Sequence, residues 1–285
     1  MEGWALITII VIVAGVALSA WRKIYFTIVA SVTCVLIFAF QQAMPSSDIL
    51  AFMPHDLSSP ERFYTVLTSM YAHDPFDLGH LMFNVLGLVF IGMLFEQRIG
   101  VRPFILLYLL SGLCGTLAFA AYYWSDPSYA VLGASGAVSG VLGGFARLYP
   151  NERMMFIFLP GYPMRVVYIV FIFVAIQIVY ATSVDSNVAW QSHLAGLAAG
   201  VLLAPVVARI RPNRPVKARV SILALRKLAV TPELRSILRR IESEEVPDVR
   251  SAWIGHFMSK ARCPTCGAPI KITGDSVTCN KGHML

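Results

Sequence analysis

The stretch Gly133-Ala134-Ser135-Gly136-Ala137-Val138-Ser139-Gly140 decides how this chain is read. It is a Gly/Ser segment opening an otherwise apolar run. Two further polar features sit inside apolar segments far away in sequence: His80 with Asn84, and His193. A strongly polar or ionisable side chain at membrane depth is costly, so it marks a functional site by default. Three such intrusions point to a fold that brings them together.

The surroundings place these residues in a bilayer. Of 285 residues, 57% are hydrophobic and 14% charged, a balance unlike that of soluble domains. Apolar runs of about 17–22 residues recur, which is the length a helix needs to cross a hydrocarbon core of roughly 30 Å. The runs are continuous rather than alternating, which argues against a β-barrel. The expected fold class is an all-α polytopic membrane protein. Seven segments are expected, over residues 4–20, 24–40, 78–95, 102–124, 135–149, 164–181 and 190–210. No basic region precedes the first, and Arg22-Lys23 follows it, so it reads as a retained helix rather than a signal peptide.

Between the second and third segments lies a long irregular loop, residues 41–77, with Pro45, Pro54, Pro60 and Pro75. It carries Asp48, Asp56, Glu61, Asp74 and Asp77 but one basic residue, Arg62. Its apolar patch at 63–71 suggests that the loop lies partly in the membrane interface. Ser125-Asp126-Pro127 reads as a turn between the fourth and fifth segments. In a seven-helix alternation Arg22, Lys23, Arg98, Arg102, Arg147, Arg153, Arg165, Arg209 and Arg211 fall on one side, and Arg62 alone on the other. The positive-inside rule then puts the N-terminus outside and the C-terminal tail in the cytoplasm, with the cell membrane as the expected location.

The net charge of +7 belongs to the tail. Residues beyond 205 carry 15 Lys+Arg and 6 Asp+Glu, against 8 and 10 in the rest. Nucleic-acid binding is one reading of such a tail. Anchoring at an anionic inner leaflet is preferred, because the charge follows directly on a spanning segment, and no nucleic-acid partner is expected. Thr231-Pro232-Glu233 marks a helix start, and Leu234, Ile237, Leu238 and Ile241 give that helix one apolar stripe. It packs on the membrane surface or on the last module of the chain.

That last module has Cys263-Pro264-Thr265-Cys266, then Cys279 and His283. Three thiolates and an imidazole at this spacing make a tetrahedral Cys3His zinc site. A disulfide is disfavoured in the reducing cytosol, and a thioredoxin-like motif would need a strand–helix context. So small a segment needs such a staple to fold. A cytoplasmic protein partner for it is possible on the residues alone. Cys34 and Cys114 stand singly in apolar runs and read as small core residues.

The fifth segment is short, about 22 Å of helix against a core of roughly 30 Å. With its basic end at the inner surface, Ser135 lies several ångströms below the outer one. The loop before it must dip into the bilayer, which requires burial in protein or a wet cavity. A hydroxyl at a helix start also faces unpaired N–H groups and the positive end of the dipole, the donors a tetrahedral oxyanion needs. Gly136, Gly140 and Gly144 bare one face of this helix, and His193, Gly196 and Gly200 share a face of the last one. Small residues at this spacing let membrane helices approach closely. His193 then reaches Ser135 as general base and later general acid. His80 and Asn84, four residues apart on one helix face, both point donors to the same cavity.

Taken singly, each element has a plainer explanation. Gly-xxx-Gly is common helix packing, a membrane Ser usually bonds its own backbone, and a lone His serves as a proton relay or ligand contact. Their combination favours catalysis.

These motifs resemble those of the rhomboid intramembrane serine proteases. Gly133-Ala134-Ser135-Gly136 matches the family's Gly-x-Ser-Gly, and Gly79-His80-Leu81-Met82-Phe83-Asn84 its His-x-x-x-Asn. Ser192-His193-Leu194-Ala195-Gly196 with Gly200 matches its last core helix. Glu96-Gln97-Arg98 resembles the charged end of its second core helix, and Arg62 stands where its first loop commonly has Arg. The resemblance covers residues 24–211, a six-helix protease core. Residues 1–23 add an N-terminal helix, 212–260 a basic linker and 261–285 the zinc module.

The resemblance implies a Ser135–His193 dyad with no carboxylate third member, needing no cofactor. It also implies an oxyanion site from the Ser135 N–H, His80 and Asn84. The long loop would be partly embedded, and the sixth segment with its following loop a lateral gate. Transmembrane protein segments are the implied substrates, cut near the outer face after local unwinding. Four residues after the nucleophile the family usually has an aromatic that packs on the catalytic His, and here Ser139 stands instead. Two other classes stay in view: a catalytically silent relative that binds client helices, and a transporter using His80 and His193 as relays.

Overall fold

The computed structural model describes residues 3–44, 46–126, 128–156, 159–183, 188–210, 222–244, 247–273 and 276–283. Pro45, Pro127, Arg211 and the first part of the basic linker lie outside the described residues. The chain divides into two compact units, Met1–Arg211 and Pro212–Leu285.

In the first unit α1 (Gly3–Arg22) and α2 (Phe26–Gln41) form an antiparallel pair, and a short helix α3 (Thr65–Thr68) sits in the long loop. Next, α4 (Leu78–Gly87) runs through a π turn at Leu88–Gly92 into α5 (Met93–Ile99), making one continuous rod of 22 residues. This rod goes a turn further than the expected end at residue 95, and Gly100, at φ +90, then breaks it. It is followed by α6 (Val101–Tyr122), α7 (Ser135–Leu148), α8 (Val166–Thr182) and α9 (Trp190–Val207), with a 3-10 turn at Ala208–Ile210. Among the described residues Gly3–Arg22, Leu78–Ile99, Val101–Tyr122 and Trp190–Ile210 are long and apolar enough to cross a membrane, and Phe26–Gln41 and Val166–Thr182 are shorter apolar helices. The all-α polytopic membrane architecture stands. One feature differs from the expectation. Before α8 the chain makes an antiparallel pair of strands, β1 (Arg153–Phe156) and β2 (Leu159–Arg165).

The long loop is folded, not loose. Asp56 is fully buried and accepts from Arg62 Nε at 2.7 Å, Thr65 Oγ1 at 2.9 Å and the Met53 N–H at 3.0 Å. This hydrogen bond to Asp56 raises the already high pKa of the Arg62 guanidinium. The expected interfacial patch splits between two environments. Met70 and Tyr71 are buried among the helices, while Phe63 is exposed. At the other end of the rod, the buried Glu96 carboxylate accepts from the Phe26 N–H (2.6 Å), the Thr27 N–H (2.8 Å) and Thr27 Oγ1 (2.6 Å). It satisfies donors that the start of α2 cannot satisfy within the helix.

In the second unit α10 (Ile222–Leu228), α11 (Pro232–Ser243) and α12 (Pro247–Lys260) precede the hairpin β3 (Ile270–Thr273) and β4 (Ser276–Cys279). Thr231 Oγ1 caps α11 by accepting from the Leu234 N–H. The expected stripe Leu234, Ile237, Leu238 and Ile241 packs with Leu225, Phe257 and Val277 in one core. The last module contributes Val277 to this core, and the linker helices α10 and α12 contribute Leu225 and Phe257.

Candidate functional site

The segment before α7 is pinned before it reaches Ser135. Val131 exchanges both backbone hydrogen bonds with Phe52 of the long loop, at 2.8 and 2.9 Å, and the Gly133 N–H donates to Ser69 O at 2.8 Å. Gly133 takes φ +123, a conformation that costs glycine little and other residues much. A methyl group there would stand 2.7 Å from His80 Nε2 and 3.7 Å from Ser135 Oγ. The His80 ring therefore lies against the turn that delivers the hydroxyl, and Ser135 is the first residue of α7.

Two of the expected residues meet directly. Ser135 Oγ is 2.7 Å from His193 Nε2, at the short end for an O–H···N contact. The glycine faces explain the approach. A Cβ on Gly196 would lie 2.1 Å from Gly136 O, and one on Gly200 would lie 1.9 Å from Gly140 O. The α7 and α9 backbones touch along this seam, so residues 58 positions apart can share a hydrogen bond.

His80 and Asn84 sit on one face of α4, as their spacing requires. Asp77 caps that helix by accepting from the His80 N–H at 3.0 Å. The Asn84 amide donates to His80 O at 2.9 Å, and its Oδ1 is buried with no hydrogen-bond partner among the described residues. One of its two amide hydrogens is thus spent on its own helix, leaving the other free. Ser139 makes a backbone bond, Oγ to Ser135 O at 2.7 Å, the ordinary use of a helical Ser.

Three neighbours escaped sequence reasoning. Gln177 of α8 is buried and puts Oε1 2.8 Å from His193 Nδ1. Phe173, one turn earlier, lies with its ring centroid 6.2 Å from that of His193. An aromatic thus reaches the imidazole from α8 rather than from position 139. The sequence held a signal for Gln177, the one amide inside the apolar run of α8, and intramembrane polarity is the same rule that singled out His193. His73 is fully buried, with its ring 5.1 Å from that of His80, and its backbone is clamped by the Gln41 amide at 2.8 and 3.0 Å.

In the second unit the donor atoms of Cys263, Cys266, Cys279 and His283 all lie within 4.8 Å of one another, and the three thiols are free. Cys266 Sγ and Cys279 Sγ are 3.7 Å apart. Thiolates about 2.3 Å from a tetrahedral ion have an S···S edge of roughly 3.8 Å. Gly267 (φ +68) and Gly282 (φ +85) turn the two knuckles that carry these ligands. The group can hold a metal ion.

The Rhomboid domain family model matches residues 60–210. "RHOMBOID-like protein 4" of Arabidopsis thaliana is 37% identical over 135 residues, 47% of this chain and 32% of that protein. "RHOMBOID-like protein 12, mitochondrial" from the same plant is 29% identical over 168 residues, 54% and 48% of the two chains. "Rhomboid protease GluP" of Bacillus subtilis is 29% identical over 176 residues, 62% of this chain and 32% of that one. The chain thus spans about a third to a half of these relatives' length. With the domain match covering more than half of its residues, the chain belongs to the rhomboid family.

Proposed function

We propose that this protein is an intramembrane serine endopeptidase that cuts transmembrane segments of other membrane proteins near the outer face. The observation that carries this reading is the 2.7 Å contact between Ser135 Oγ and His193 Nε2 at the start of a short helix. In the reaction His193 Nε2 takes the hydroxyl proton as Oγ attacks the scissile carbonyl carbon, forming a tetrahedral oxyanion. The backbone N–H groups at the start of α7, with His80 and the free amide hydrogen of Asn84, stabilise that charge. His193 then protonates the departing amine, and water hydrolyses the acyl-enzyme by the same steps in reverse.

Cleavage needs an extended peptide, so the substrate helix unwinds before it is cut. Gly, Pro or polar residues near its outer end make this easier. The charge distribution of the loops supports an external N-terminus and a cytoplasmic tail, with the cell membrane as the site of action. The Cys3His group is proposed to hold structural zinc, for which the thiol spacing and the two Gly knuckles speak.

The test is covalent labelling of the full chain in proteoliposomes by a serine-directed fluorophosphonate, run beside cleavage of a reporter with a single transmembrane segment. Labelling and cleavage that both disappear in Ser135→Ala support the enzyme. A wild-type protein that binds the reporter but neither labels nor cleaves it is instead a silent client-binding relative. Equal cleavage of Gly-containing and Leu-only reporters removes the unwinding step.

A further inference from the structure

We infer that Gln177 is a positioning residue that holds the His193 imidazole in the tautomer able to accept the Ser135 proton. The inference rests on the Ser135–His193 reading above. Neutral imidazole carries its proton on one nitrogen only, and the bond made by the other nitrogen decides which one. With Gln177 Oε1 at 2.8 Å, Nδ1 carries the hydrogen and donates it. Nε2 is then a bare acceptor, and Ser135 Oγ is 2.7 Å away. The reverse tautomer would aim an N–H at the nucleophile and leave nowhere for its proton to go.

Gln177 is placed for this work by its helix. Only Val166, Ile169 and Gln177 of α8 are buried, so the amide is one of few residues by which that helix is seated. Phe173, a turn away, covers the same ring. Among the described residues, the groups in contact with His193 are Ser135 from α7 and Gln177 and Phe173 from α8, and His80 of α4 is the titratable group that acts on it electrostatically.

The probe is an alkyl fluorophosphonate. Ser135 Oγ attacks phosphorus, the P–O bond forms as P–F breaks, fluoride leaves, and the hydroxyl proton passes to His193 Nε2. Rates are followed against pH for the wild type, Ser135→Ala, Gln177→Leu and Gln177→Glu, with each protein's thermal transition in detergent as the folding control. Gln177→Leu lowers the labelling rate constant at saturation about 5- to 100-fold, the effect of one buried hydrogen bond, and leaves the probe's half-saturation concentration unchanged. Gln177→Glu restores an acceptor, so labelling returns. Its carboxylate also favours the imidazolium, moving the acid limb of the profile to higher pH by about one pH unit or more. A residue serving packing alone would not move that limb.

Wild-type rates in a folded Gln177→Leu overturn the inference, and so does a folded Gln177→Glu that fails to label or keeps the wild-type limb. In the unaltered protein, 15N NMR of the imidazoles, assigned by difference against His193→Asn, gives a second readout. It is expected to find Nδ1 protonated and Nε2 bare at neutral pH. The opposite tautomer overturns the inference whatever the variants do. Failure of wild-type labelling, or its survival in Ser135→Ala, defeats the parent reading instead.

Discussion

Substituting Gly196 by Ala inserts one methyl group between two backbones. Its Cβ would stand 2.1 Å from Gly136 O, with no flexible side chain to yield. Ordinary contact begins near 3.4 Å, so α7 and α9 must part by about 1.3 Å. If the whole shift were transmitted one turn along to His193, the 2.7 Å contact with Ser135 would open to about 4 Å, beyond hydrogen-bond range. A misplacement of about 1 Å costs on the order of 100-fold in rate, and the overpacking itself costs about 1–3 kcal/mol of stability. Gly200→Ala is the control. Its Cβ would meet Gly140 O at 1.9 Å, a similar backbone clash about 10 Å along α9 from His193. Fluorophosphonate labelling and thermal transitions in detergent are measured for both. Both variants should lose comparable stability, with Gly196→Ala losing more activity than Gly200→Ala. Wild-type labelling and stability in Gly196→Ala would mean that the seam does not set the geometry of the dyad.

Removing the carboxylate in Glu96→Ala strands the Phe26 and Thr27 donors at the start of α2. It should cost about 2–4 kcal/mol, read as a lower thermal transition, with any loss of labelling traceable to unfolding. Asp56→Ala should loosen the long loop at a cost of about 1–3 kcal/mol, toward the lower end because Arg62 reaches solvent. Limited proteolysis would show this as new cleavage within residues 46–77. If the Cys3His group holds zinc as proposed, Cys266→Ser should lose that zinc and expose the second unit to protease, and a variant that keeps one zinc per chain would exclude Cys266 from the site.

The parts of this fold legible in sequence are those where the bilayer makes a rule strict. Gly3–Arg22, Leu78–Ile99, Val101–Tyr122 and Trp190–Ile210 are announced by their length and composition, and His193 and Ser135 by the cost of polarity at depth. The Gly136/Gly196 and Gly140/Gly200 pairing follows from spacing, because only bare faces permit such an approach. Features that depend on a distant partner were hidden. Glu96 ends a helix in any local reading, yet its carboxylate serves the start of α2, about 70 residues earlier. The strands β1 and β2 were missed because Met154, Met155 and Phe156 show no alternation and Pro160 and Pro163 argue against pairing. Ser139 drew attention as the place of a missing aromatic, although Phe173 on another helix supplies a ring beside His193.

The choice of an amide at position 177 has a physical reason of its own. Among the described residues, those in contact with His193 are Ser135, Gln177 and Phe173, and none of them bears a charge. A carboxylate there would be a buried charge facing a neutral imidazole in the resting site, which is expensive in a low-dielectric interior. An amide oxygen selects the same tautomer with no net charge to desolvate. It gives up the extra stabilisation of the imidazolium formed during attack, which a carboxylate would provide. In water that exchange would be a poor one. At membrane depth, on the reading proposed above, it would keep the imidazole oriented with no buried ion to desolvate.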